Sequence, residues 1–72
     1  MQEVFAVRLD VQKLLLAMAR EQITDAELCV LAKVPKSTFS NIKTGKRNPK
    51  PVTVGKLAGA LRIDVSELVV NA

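Results

Sequence analysis

The sequence predicts an all-α fold, a compact domain of five short helices, with residues 1–72 forming one unit. Three observations carry that prediction. The apolar content is 49%, yet Phe5 and Phe39 are the only aromatics, so Leu, Val, Ala and Ile must build the core, which suits packed helices. Apolar residues recur three and four apart in successive segments, the spacing that puts them on one helical face. Two capping signatures, "TDAE" at 24–27 and "DVSE" at 64–67, together with Pro35 and Pro51, mark helix starts along the chain.

The elements follow in order. "FAVRLD" (5–10) alternates, with Phe5, Val7 and Leu9 on one side, and reads either as a short extended N-terminal arm or as the lead-in to a helix. Asp10 is the N-cap of a first helix, "VQKLLLAMAREQ", which lacks Gly and Pro and should run to about Arg20. Thr24 opens a second helix, "DAELCVLA", with Leu28, Ala32 and small Cys29 inward. Pro35 ends it, because proline disfavours helical geometry at Val34, and is itself suited to begin the next helix. In a third helix, roughly 36–43, Phe39 and Ile42 reach the core. Lys36, Ser37, Ser40, Asn41 and Thr44 share the other side. Gly45 supplies the left-handed residue that stops it, and "KRNPKP" is a loop. Pro51 begins a fourth helix, about 52–61, with Val54, Leu57, Ala58 and Leu61 inward. Asp64 then caps a last short helix that ends in "LVV".

Charge narrows the function. The net charge is +4 and the isoelectric point about 9.7, which suits a polyanionic partner. The longest apolar run is too short to span a bilayer, and Glu3 ahead of a brief apolar patch is wrong for a secretory signal, so a cytoplasmic protein without a membrane partner is expected. Cys29 is the only cysteine and there is no histidine, which excludes an internal disulfide and an ordinary Cys/His metal site; no cofactor is expected. Without histidine, without a carboxylate pair in a cleft-like context, and with Cys29 assigned to a helix contact, the chain is not read as an enzyme.

The most informative stretch is "VPKSTFSNIKTGKRNP" (34–49). It carries Lys36, Lys43, Lys46 and Arg47, no acid, and a row of small polar residues. Two short helices joined by a three-residue turn, the second polar on its outer side, make a helix-turn-helix at about 25–43. "ITDAEL", this stretch, and "TVGKLAGALRIDVSEL" stand in order and at matching spacing, and over residues 9 to 70 the chain resembles the Cro/C1-type (XRE-like, lambda-repressor-like) helix-turn-helix family of phage and bacterial regulators. The resemblance implies a sequence-specific transcriptional regulator in the cytoplasm of a bacterial or phage-infected cell, with double-stranded DNA as partner and the third helix in the major groove. Lys36, Ser37, Ser40 and Asn41 would then meet base edges, lysine suiting guanine and asparagine adenine. Thr44, Lys46, Arg47, Asn48 and Lys50 would grip phosphates. A homodimer on DNA, or a complex with a partner regulator, is expected, because one recognition helix reads only a few base pairs.

Four departures from the family pattern stand out. Asp25 replaces a glutamine that often touches DNA, and its charge would repel a phosphate. Lys33 replaces the glycine of the turn, at a cost of about 1 kcal/mol if the backbone there is left-handed. An Arg–Glu pair joining the first and third helices is lost, with Met18 and Lys43 at its positions. Finally, Leu15, Leu16, Val30 and Leu31 occupy places usually given to Lys, Glu or Gln. They cannot all face a core already met by Leu14, Met18, Leu28 and Ala32, so they are read as a protein interface. This surplus supports an alternative on the same fold: a protein-binding modulator, such as an antirepressor or corepressor of a partner regulator, or an antitoxin.

Overall fold

In the computed structural model, which describes residues 8–70, Asp10 opens the first helix. Its carboxylate accepts the backbone N–H groups of Gln12 and Lys13, at 3.0 and 3.3 Å, satisfying two donors that a helix start leaves without partners. Helix α1 runs Val11–Glu21, one residue past the expected end, and buries Leu14, Ala17 and Met18. Thr24 and Glu27 form the reciprocal capping box: Thr24 Oγ1 accepts from the Glu27 N–H, and Glu27 Oε1 accepts from the Thr24 N–H. Behind this box α2, Asp25–Ala32, buries Leu28, Cys29 and Ala32. Pro35 is extended, at φ −61° and ψ 144°, and stands as the N-cap of α3, Lys36–Lys43, rather than inside it. Helix α4, Pro51–Leu61, begins on its proline as expected.

The fifth element is shorter than the sequence suggests. Asp64 takes the hydroxyl and backbone N–H of Ser66, which hold its carboxyl below the usual range, and Glu67 reaches back to the Asp64 N–H. Only a 3-10 turn, Val65–Glu67, follows. Leu68 then turns fully into the core, and the chain leaves extended. The Asp10 N–H donates to the Leu68 carbonyl and the Val70 N–H to the Arg8 carbonyl, both at 2.8 Å, so Leu9 and Val69 form an isolated antiparallel bridge. Lys13 Nζ adds a bond to the Val69 carbonyl at 3.0 Å. These partners from the start of the chain replace the helical bonds that "LVV" would have made. Four α-helices and one 3-10 turn therefore make the five helical elements, and no strand occurs among the described residues. Residues 5–7 of the alternating "FAVRLD" lie outside the described residues.

Leu14, Leu28, Val54, Leu57, Leu61 and Leu68 are fully enclosed and form the centre of one core, to which α2 and α4 contribute their main mutual contact. Phe39 joins it from α3. The expected inward residues of α2, α3 and α4 are the buried ones.

All four α-helices stop in the same way. The residue after the helix is left-handed: Gln22 (φ 54°), Lys33 (59°) and Arg62 (60°) after α1, α2 and α4, and Gly45 (80°), one residue further on, after α3. The following N–H then reaches back to the carbonyl five residues earlier: Ile23 to Met18, Val34 to Cys29, Lys46 to Asn41 and Ile63 to Ala58. Ile23, Val34 and Ile63 each return an apolar side chain to the core. The condition on which the cost at Lys33 depends, a left-handed backbone, is thus met, and a β-carbon there carries a strain of about 1 kcal/mol. Replacing Lys33 by Gly should raise stability by roughly that amount. Gly45→Ala should lower stability by about 1 kcal/mol through backbone strain alone, since the added Cβ would meet nothing within 4 Å. Urea midpoints at constant slope check both; movement in the same direction would show that the left-handed backbone is not what governs them.

Candidate nucleic-acid interface

Phe39 and Ile42, each 2% exposed, pin α3 by one side. The opposite side is thereby turned outward: Lys36, Ser37 and Ser40 are exposed and Asn41 is half-buried. The loop after α3 is fastened to this helix rather than trailing from it. The Asn41 carbonyl accepts the backbone N–H groups of Lys46 and Arg47, at 2.9 and 3.2 Å, and the Thr44 hydroxyl at 3.3 Å. Lys46 and Arg47 are therefore held next to the expected base-reading residues, and both are exposed. Thr44 also donates its hydroxyl to the Ser40 carbonyl at 3.0 Å. Its one hydroxyl proton is committed to closing the helix, which sets it apart from the other expected phosphate contacts.

Arg47, Asn48 and Lys50 line a groove beside α3, over the buried Pro49. Lys33 and Lys56 line it too, and no acid does. Neither lysine was expected at this surface. Lys33 is close to α3 in sequence, but Lys56 comes here only through the packing of α4 on α2, which no local pattern reveals.

Asp25 is not the bare repelling charge the sequence suggests. Its Oδ2 lies 2.6 Å from Lys43 Nζ, tying the start of α2 to the end of α3. Lys43 Nζ also sits 5.8 Å from the centre of the Phe39 ring, a cation–π distance. The ion pair that seemed lost between Met18 and Lys43 is thus remade from a different helix, while Met18 fills the core. Both partners are part-exposed, so the pair contributes about 0–1 kcal/mol and matters chiefly for the local charge. Burial, and after it the Asp25 carboxylate, push the Cys29 thiol above its ordinary value, and the residue packs within the core.

The four surplus apolar residues are exposed, Leu15 at 41%, Leu16 at 68%, Val30 at 76% and Leu31 at 60%, and they do not line one common groove. Leu16 lines a small groove with Ile63 and with the Arg20–Glu67 ion pair. Val30 and Leu31 line a larger groove between α2 and α4, and Leu15 lines neither. Among the described residues no group of His, Cys, Asp and Glu could hold a metal ion, and no helix is long and apolar enough to cross a membrane.

Residues 16–68 match the helix-turn-helix family model. The chain belongs to the Cro/C1-type (XRE-like) helix-turn-helix family of DNA-binding regulators. Among solved structures it is similar to the restriction-modification controller protein C.AhdI from Aeromonas hydrophila, with 28% identity and a TM-score of 0.74 over 79% of this chain and 86% of that one. It is also similar, at 28% identity and a TM-score of 0.77, to a variant of hydroxyethylphosphonate dioxygenase, and at 0.76 to native PhpD with cadmium atoms. There the match covers 90% of this chain but spans only 14% of the other protein, so the likeness is to a helix-turn-helix-like part of it. No curated protein matches the chain.

The Asp25–Lys43 pair has a measurable consequence. Asp25→Asn should free Lys43 for a phosphate, tightening binding to duplex DNA and steepening the dependence of log K on log salt by about 1. A salt titration of binding reads this directly; an unchanged slope would mean that Lys43 stays away from phosphates even when released.

Proposed function

We propose that the chain is a sequence-specific DNA-binding transcriptional regulator, one domain over residues 1–72, that lays α3 in the major groove. The observation that carries this reading is the outward side of α3: small, polar, free of acids, and continued without interruption into a cationic loop anchored on the Asn41 carbonyl. A helix presenting such a face fits a groove about 12 Å wide. The likeness to a restriction-modification controller supports the regulatory role. Lys36, Ser37, Ser40 and Asn41 read base edges, the lysine suiting guanine O6 and N7 and the asparagine adenine N6 and N7. Lys46, Arg47, Asn48 and Lys50, with a lesser part for Thr44, set the register on phosphates.

A second reading is favoured by one observation, the exposure of Val30 and Leu31, which line no groove with α3. A protein partner covering them would make the chain an antirepressor, corepressor or antitoxin. Val30 and Leu31 do not line the groove beside α3, so that role is compatible with DNA binding.

Two substitutions separate reading from gripping. Asn41→Ala should weaken binding to the true site by about 1–3 kcal/mol and leave random duplex nearly unaffected. Arg47→Ala should weaken both and lower the salt slope by about 1. Binding titrations on both duplexes over a salt series test the pair; loss of specific and random binding alike in Asn41→Ala would remove it from the base-reading set and count against α3 as the recognition helix.

A further inference from the structure

The groove that Val30 and Leu31 line lies on the α2–α4 side. Its apolar part is built by Ile23, Ala26, Val30, Leu31 and Ala60, with Gly55 and Gly59 on α4. A Cβ at either glycine would meet nothing within 4 Å, so the space above this stretch of α4 is open. Val30 and Leu31 are the two large apolar residues of α2 that the chain's own core leaves exposed.

The rim carries charge of both signs in an ordered way. Lys33 and Lys56 stand where this groove meets the cationic groove beside α3, since both residues line both. Glu27 lies six residues before Lys33, roughly 9 Å back along α2, and Glu21 precedes it at the end of α1. Arg62, the left-handed residue that closes α4 six positions beyond Lys56, lines the groove on the far side from Lys56 along α4. One end is therefore cationic and the other has two carboxylates against one guanidinium. Elsewhere Asp25 pairs with Lys43 and Glu67 with Arg20, but Glu21, Lys33, Lys56 and Arg62 have no ion-pair partner among the described residues.

We propose that this groove docks a second copy of the chain about a two-fold axis. A two-fold contact places the same patch on itself with its ends exchanged, so a patch with opposite charges at its ends is self-complementary. Lys33 and Lys56 of one copy then face Glu21 and Glu27 of the other, twice over. Val30 and Leu31 lie between them and meet the open stretch over Gly55 and Gly59 of the second copy. An apolar centre with a charged rim is the usual construction of a specific interface. The contact uses α2 and α4 and needs no DNA.

Sedimentation velocity of the whole chain without DNA, over a concentration series reaching the millimolar range, tests this. The parent should shift from monomer to dimer. Glu21→Lys and Lys56→Glu change exposed side chains and should melt like the parent, but each alone should dimerise at least about tenfold more weakly, because like charges then face one another. An equimolar mixture of the two should recover most of the lost affinity, since the exchanged charges match again. A parent that stays monomeric throughout the series overturns the proposal, and so does a mixture that associates no better than its components. Dimerisation that survives both reversals and is lost on Leu16→Lys would place the contact on the other groove and overturn it equally.

Discussion

The reversal at Lys33 is the constraint on which the site depends. Helices α2 and α3 have eight residues each, too few to persist alone in water, so each exists only where the core holds it. Between them the chain has three residues in which to satisfy the last carbonyls of α2, change direction and start again. A left-handed Lys33 does the first two at once. It brings the Val34 N–H back to the Cys29 carbonyl and drops the Val34 side chain into the core. Pro35, extended and without an N–H to satisfy, then launches α3. The rotational setting of α3, and with it the choice of which residues face outward, follows from that sequence of events. A side chain other than glycine at Lys33 makes the arrangement somewhat strained without changing its geometry.

The same economy governs the charges. Most acids among the described residues have a local structural use: Asp10, Asp64 and Glu27 cap helix starts, Asp25 meets Lys43, and Glu67 meets Arg20 while closing its own turn. The cations of the α3 face and its loop are mostly left without such partners, and the groove beside the loop is lined by no acid, although the net charge is only +4. Asp25 is the exception that reaches α3, and its effect is to hold back one lysine, Lys43, from an otherwise available row. The family's Arg–Glu bridge and this Asp–Lys bridge lie on different helix pairs, yet both brace the end of α3 against the body of the domain.

Two surfaces emerge that share a border. The α3 face and its loop are polar and cationic; the α2–α4 groove is apolar with a rim of mixed sign. Lys33 and Lys56 stand on the border and line both.

Much of this was decided by local chemistry and is legible in the sequence. Helix starts at Asp10, Thr24 and Asp64, the interruption at Pro35, the stop at Gly45 and the inward residues of every helix depend on neighbours a few positions away. Short-range patterns are enough for them. The helix-turn-helix and its exposed polar side follow for the same reason, and so does the exposure of Leu15, Leu16, Val30 and Leu31, once the core positions beside them are filled. Tertiary structure alone decided what involves partners far apart in the chain. "LVV" became a turn and an extended segment because Arg8 and Asp10 offered it backbone bonds from the other end. Asp25 found Lys43, 18 residues away, because α2 and α3 cross where they do. Val30 and Leu31 came to line a groove with α4, and Lys56 joined the edge of the α3 surface, because α4 packs on α2. A sequence states which side of a helix is apolar; only the packed core states what stands opposite it.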